Sequence, residues 1–181
     1  MKKPLLLFLA LACATLSQAQ AQNPSSMSWK DVATWKSMPN SGFKLSPDGQ
    51  WMAYVLTGIE ADGELILQKV ADPSSKKSFP IGNTSFASFE FSDNSQWVAF
   101  KEFPKFTEKQ ANEKANGKPL KEKLHLIQLA SGDKKTFAGI SGYDFNGEAA
   151  SHLLMTLPKE GNGDSKGSDV LLYHLATGKS Q

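Results

Sequence analysis

The stretch LSPDGQWMAYV, beginning at Leu45, returns forty-six residues later as FSDNSQWVAFK, beginning at Phe91. A unit repeated at a fixed period constrains a fold more than any single residue does. Each copy buries its apolar faces only by stacking on another copy. Three segments of the chain can be laid over one another. The first runs from Phe43 through KLSPDGQWMAYVLTG to ELILQKVADPSSKKSFPI, and the second from ASFEFSDNSQWVAFKEF to KLHLIQLASGDKKTFAGI. The third runs from SGYDFNGEAASHLLMTLP to DVLLYHLATGKSQ. Each contains an opening strand, a polar turn, a second strand, a variable loop and a third strand. The first two go on to a short fourth strand, at Lys77 to Ile81 and Lys135 to Ile140.

The turns carry their own chemistry. In SPDG, Pro47 is preset for the first corner of a type I turn, Asp48 takes the second, and Gly49 accepts the left-handed conformation that closes the hairpin. In the second copy Asp93-Asn94 is expected to do this work, with Asn94 tolerating positive φ. After the turn, Trp51, Ala53 and Val55 alternate with Met52, Tyr54 and Leu56, so both faces are apolar, as in a strand packed between two sheets. Gly132 and Gly178 mark the next hairpin. The spacing of 46 and then 54 residues fits the ~40–50 residues of a four-stranded propeller blade.

The fold class expected is therefore all-β: antiparallel four-stranded blades of an incomplete β-propeller, about three in number. The blades cover 43–181, with repeats starting near 43, 87 and 141. A plain antiparallel sandwich is the competing fold.

Two segments depart from the repeat. SMSWKDVATWKSMP predicts a short helix over 28–38, with Ser28 as N-cap and Asp31 three residues on. Trp29, Val32 and Trp35 share a face that is expected to pack on a blade or a neighbouring domain. The charged run 104–123 is an insertion between two strands of the second blade, expected to be a solvated loop with a helical turn.

Lys2 and Lys3 precede the apolar run Leu5 to Leu16, which is too short to span a bilayer, and small residues follow. This reads as a signal peptide over 1–21, cut after Ala19 or Ala21. A lipoprotein acylated at Cys13 is the competing reading. Cys13 is the chain's single cysteine, so the mature protein is expected to be exported, to the periplasm or beyond, without disulfides. A net charge of +2 makes no case for nucleic acid as a partner, and no second apolar run predicts a membrane span.

No catalytic constellation emerges. GISGY at Gly139 misplaces the second glycine of a nucleophile elbow and lies between strands. His125, His152 and His174 fall in separate strands without metal-ligand spacing. NGDSKG from Asn162 puts Lys166 and Tyr173 where calcium ligands would stand. The runs NGK at Asn116 and TGK at Thr177 lack the glycine of a phosphate loop. No catalytic, cofactor-binding or metal residue is assigned, and no cofactor is expected.

The order of signal peptide, Trp-containing helix, LSPDGQWMAYV, FSDNSQWVAFKEF, charged insertion, LHLIQLASGDKKTF and GSDVLLYHLATGK resembles the N-terminal portion of a secreted bacterial prolyl oligopeptidase family serine peptidase, dipeptidyl peptidase-like. The resemblance covers about 160 residues. Its motifs are moderately specific, since SPDG strands also occur in propellers such as those of TolB. It implies a propeller that restricts access to peptide substrates, followed by an α/β-hydrolase domain carrying serine, aspartate and histidine. All of those residues would lie beyond Gln181, so the chain is expected to be a fragment, inactive alone. The alternatives are a non-enzymatic envelope propeller, TolB-like, that binds a protein or glycan, and a small free-standing β protein.

Overall fold

The computed structural model describes residues 26–159 and 167–181. The signal-peptide reading over 1–21 and the polar loop at 162–166 lie outside the described residues. The chain forms three antiparallel sheets in succession. Strands β1 (Phe43–Leu45), β2 (Trp51–Leu56), β3 (Gly63–Lys69) and β4 (Asp72–Gly82) make the first, in that spatial order. Strands β5 (Phe89–Phe91), β6 (Trp97–Glu102), β7 (Lys123–Gln128) and β8 (Lys134–Ala138) repeat the arrangement. The third sheet comprises β9 (Gly142–Phe145), β10 (His152–Pro158) and β11 (Ser168–His174). The first two are the four-stranded antiparallel meanders of a β-propeller, as the repeats require, and the third shows three strands of the same meander among the described residues.

The registers make the repeat exact to the residue. Leu45 pairs with Met52, Phe91 with Val98 and Phe145 with Leu153. On the next strand Ala53 pairs with Leu67, Ala99 with Leu126 and Leu154 with Leu172. Strand alternation then gives every sheet two faces. Ala53, Val55, Leu65 and Leu67 of the first sheet pack on Phe89, Phe91, Val98 and Phe100 of the second. Ala99, Leu124 and Leu126, on the second sheet's other face, pack on Phe145, Leu153, Met155 and Tyr173 of the third. Each fully buried Leu or Phe contributes about 1.5–3 kcal/mol, so these two intersheet layers are the core.

The tight turns hold the register. Ser46 N–H donates to Trp51 O at 2.9 Å while Ser46 Oγ accepts from Trp51 N–H at 2.9 Å. Ser92 and Trp97 repeat this pair at 3.0 Å for both bonds. Gly49 has φ +70°, as the SPDG reading requires. In the second copy the left-handed residue is Ser95, at φ +55°, and Asn94 is not the one with positive φ. Ser95 therefore matches Gly49, and Asn94 matches Asp48. Asn94 uses its side chain instead, accepting from Gln96 N–H at 3.1 Å as Asp48 accepts from Gln50 N–H at 3.0 Å.

The fourth strand of the first sheet is longer than 77–81: it runs Asp72–Gly82, with Asp72 pairing Lys69 across a register shift and Gly82 pairing Gly63. The N-terminal helix, α1, spans only Trp29–Ala33, with Ser28 and Asp31 closing its first turn through Ser28 N–H to Asp31 Oδ2 at 2.7 Å. Its tryptophan face does not pack on a blade: Trp29 is 67% exposed and Trp35 57%. Ala33 is the helix residue that is buried. Downstream of the helix, Ser37 pairs with Thr57 and continues the edge of the first sheet. The charged insertion holds more order than a helical turn, with helix α2 at Phe106–Lys114. All of its side chains stay at least partly in solvent, in keeping with its charge.

Candidate functional site

The stacked sheets have two ends, and the hairpin turns of successive sheets meet at one of them. Asp48 N–H donates to Ser95 Oγ at 3.0 Å, and Asn94 Nδ2 donates to Ala150 O at 3.5 Å. The opposite end carries the variable connections: residues 57–62, 83–88, the insertion and 139–141. There the backbone of the first sheet joins that of the second. Phe103 N–H donates to Ile81 O at 2.9 Å and Asn83 N–H to Pro104 O at 3.0 Å. Gly82 makes this approach possible, since it has φ +65° and a Cβ on it would lie 1.9 Å from Phe103 O.

Polar side chains then anchor the insertion. Asp62 Oδ1 accepts from Phe106 N–H at 2.8 Å, at the start of α2. Lys109 Nζ donates to Asn83 O, and Asn83 Nδ2 donates in turn to Ala61 O at 3.0 Å. At the far side of the insertion Lys101 Nζ donates to Glu122 Oε2 and to Ser141 O, both at 2.7 Å. Lys101 thus ties the second sheet, the insertion and the opening of the third sheet together. Beside it lies an open cleft of about 1030 Å³, lined by Lys101, Leu120, Glu122, Ile140, Ser141 and Leu157 among others. Its lining is largely apolar, with Lys101, Lys118, Lys121 and Glu122 as the charged members. It contains no nucleophile paired with a base.

A second grouping runs along the first strands of the sheets. Lys44, Glu90 and Asp144 occupy the same register position on β1, β5 and β9. Lys44 Nζ donates to Phe89 O at 3.0 Å, crossing from the first sheet to the second. Burial pushes the Glu90 carboxyl above its ordinary value; Asp144 adds in the same direction and Lys44 opposes. Three charged residues at the centre of otherwise apolar strands were visible in the aligned repeats, and sequence reasoning passed over them. The Lys101–Glu122 tie had no such signal, because its partner lies in the insertion.

The histidines separate into two situations. His125 is buried between the first two sheets, at the position that Ile66 and Leu171 hold elsewhere. Its Nε2 lies 2.6 Å from Glu102 Oε2 and its Nδ1 2.9 Å from Thr136 Oγ1. Burial lowers its pKa despite the carboxylate, so at pH 7 the ring is neutral, donating from Nε2 and accepting from Thr136. His152 and His174, read as isolated in sequence, are cross-strand partners with ring centroids 4.7 Å apart. Each has its Nδ1 engaged locally, by Ser151 Oγ and by Thr177 N–H. Among the described residues no group of three His, Cys, Asp or Glu is placed to hold a metal ion. No helix among them is long and apolar enough to cross a membrane.

No protein-family profile and no curated protein matches the sequence. Solved structures do. The β-propeller domain of the Trilobed protease from Pyrococcus furiosus, which has an open velcro topology, aligns with 82% of this chain at 15% identity and a TM-score of 0.54. The chain spans 42% of that domain. Weaker likenesses are to a prolyl endopeptidase, at 14% identity and TM-score 0.49, covering 97% of this chain and 27% of that one. A third is the Pyrococcus horikoshii acylaminoacyl peptidase, at 14% identity and TM-score 0.46, covering 72% and 22%. At these identities the likeness establishes the β-propeller fold.

Proposed function

We propose that this chain is the N-terminal part of an exported prolyl oligopeptidase family serine peptidase, supplying propeller blades that restrict which peptides reach a separate hydrolase domain. The observation that carries the reading is the coincidence of order. A Trp-bearing helix precedes blades in strict register, and an anchored charged insertion sits in the second blade, as the sequence resemblance implies. The Pyrococcus furiosus propeller, itself part of a protease, supports it. The exposed Trp29, Val32 and Trp35 lie on the segment joined to the insertion end, where the Glu60 N–H to Ala33 O bond fixes α1. That end is where the hydrolase domain would dock. Serine attack with histidine as base and a backbone oxyanion hole would be the chemistry of that domain; the residues described here gate and hold.

The test is to express the uninterrupted product of the locus and assay it on peptides of graded length and on folded proteins. Cleavage of short peptides with sparing of folded protein is expected. Equal cleavage of both, or of neither, overturns the reading.

A further inference from the structure

Among the described residues the pair Asn-Gly occurs twice, at Asn116–Gly117 in the insertion and at Asn146–Gly147 in the turn between β9 and β10. The pair carries its own reactivity. The backbone nitrogen of the glycine attacks Cγ of the asparagine, and with no Cβ on the glycine nothing obstructs the approach. A five-membered imide forms as the C–N bond of the side-chain amide breaks, and ammonia leaves with the proton of the backbone nitrogen. Water then opens the ring at one carbonyl or the other, giving aspartate or its β-linked isomer. Water is the only co-reactant.

Both asparagines are exposed, but they are held unequally. Asn146 Oδ1 accepts from Ser151 N–H at 2.8 Å and from His152 N–H at 2.9 Å, and its Nδ2 donates to Ser151 Oγ at 3.0 Å. Its Cγ cannot swing toward Gly147 N without giving up these bonds. At Asn116, among the described residues, no hydrogen bond holds the side chain. What opposes reaction there is one backbone bond, Gly117 N–H to Asn112 O at 2.9 Å. It lies just past Ala115, the C-cap of α2, where helix ends open most readily.

We propose that Asn116 is a site of spontaneous deamidation in the folded protein, and that the reaction releases the end of the insertion helix. The β-linked product has an additional backbone carbon, so the Gly117 N–H to Asn112 O bond falls out of register. Either product also puts a carboxylate beside the last carbonyls of α2, at the negative end of its dipole. The tie that remains on Asn112 is its Nδ2 donating to Lys118 O at 3.1 Å.

The experiment is to age the purified protein at mildly alkaline pH and follow each asparagine by mass spectrometry of its tryptic peptide. The peptide 115–121 reports Asn116 and the peptide 136–159 reports Asn146. The expected result is conversion at Asn116 about tenfold or more faster than at Asn146, the factor that two further hydrogen bonds to break would give. In denaturant the two rates should converge, since both asparagines precede glycine. Ageing should also speed tryptic cleavage after Lys114 in the parent but not in Asn116→Gln, whose longer side chain would have to close a less favoured six-membered ring. Equal rates in the folded protein, an Asn116 that stays intact, or a difference that persists in denaturant overturns the inference. Cleavage after Lys114 that ageing leaves unchanged overturns the release of the helix end.

Discussion

Glu102 Oε2 lies 2.6 Å from His125 Nε2 in the layer between the first two sheets, where the other sheets place Ile66 and Leu171 at the histidine's position. Lys123 Nζ, 3.1 Å from Glu102 Oε1, completes the group, and Phe100 packs on the imidazole with centroids 5.1 Å apart. A polar cluster in an apolar layer is tolerated because every member has a partner.

The cluster makes stability depend on pH. Burial depresses the pKa of His125 in the folded state. As pH falls below the ordinary histidine value of about 6.5, the unfolded chain takes up the proton first and stability is lost. Stability should therefore decline from pH 7 to pH 5, a decline that His125→Leu abolishes. Below that range Glu102 acts in the same sense. Burial pushes its carboxyl up, but the hydrogen bonds from His125 and Lys123 outweigh this and hold it lower. Denaturant titrations at pH 5, 6 and 7 check the point, and an unchanged slope in the variant would contradict it. At pH 7 His125→Ala should cost roughly 2–3 kcal/mol, from the cavity and the lost partner of Thr136.

Two glycines with nearly the same φ should respond differently to alanine. Nothing lies within 4 Å of a Cβ built on Gly49, so Gly49→Ala costs only backbone strain, about 1–2 kcal/mol. At Gly82 the added carbon would meet the Phe103 carbonyl and the Pro104 carbonyl oxygen. Gly82→Ala should cost roughly 3 kcal/mol or more and loosen the backbone join between the first and second sheets. Equal losses in urea unfolding would mean that the join contributes nothing.

Lys101 should govern the order of the insertion. Its side chain is 13% exposed and carries two bonds across three segments. Lys101→Met leaves Glu122 without that partner, at a cost of about 1–3 kcal/mol. It should also speed tryptic cleavage after Lys105, Lys109, Lys114 and Lys121. Cleavage at the parent's rate would show that the insertion is held by other contacts.

Trp29→Ser and Trp35→Ser, by contrast, should change the unfolding free energy by less than about 0.5 kcal/mol, as substitutions on exposed surface do. A loss above 1 kcal/mol would place these rings in the folding core of this chain and leave them unavailable for docking.

Much of this fold was legible in the sequence because its information is periodic. The SPDG and SDNS turns and the alternation after Trp51 and Trp97 named the sheets, their strand order and the layers between them. The position of the left-handed residue in the second turn was not legible. Asn94 has the higher intrinsic tolerance for positive φ, but register with Trp97 assigns that conformation to Ser95. The length of α1 was also overread: Trp35 keeps helical spacing from Val32 although the helix ends at Ala33, because the chain turns to pair Ser37 with Thr57. The insertion's anchoring by Asp62, Asn83 and Lys101 was invisible, since each contact joins segments more than twenty residues apart. For the site, the sequence yielded an absence of catalytic groups and a resemblance. The aligned Lys44, Glu90 and Asp144 were there to be read.

The measurement that bears most directly on the proposed role is to sequence the genomic locus past codon 181 and follow the reading frame. The account predicts further blades in frame, then G-x-S-x-G followed by an aspartate and a histidine in that order. Blades followed by a stop, or a stop directly after Gln181, would contradict it.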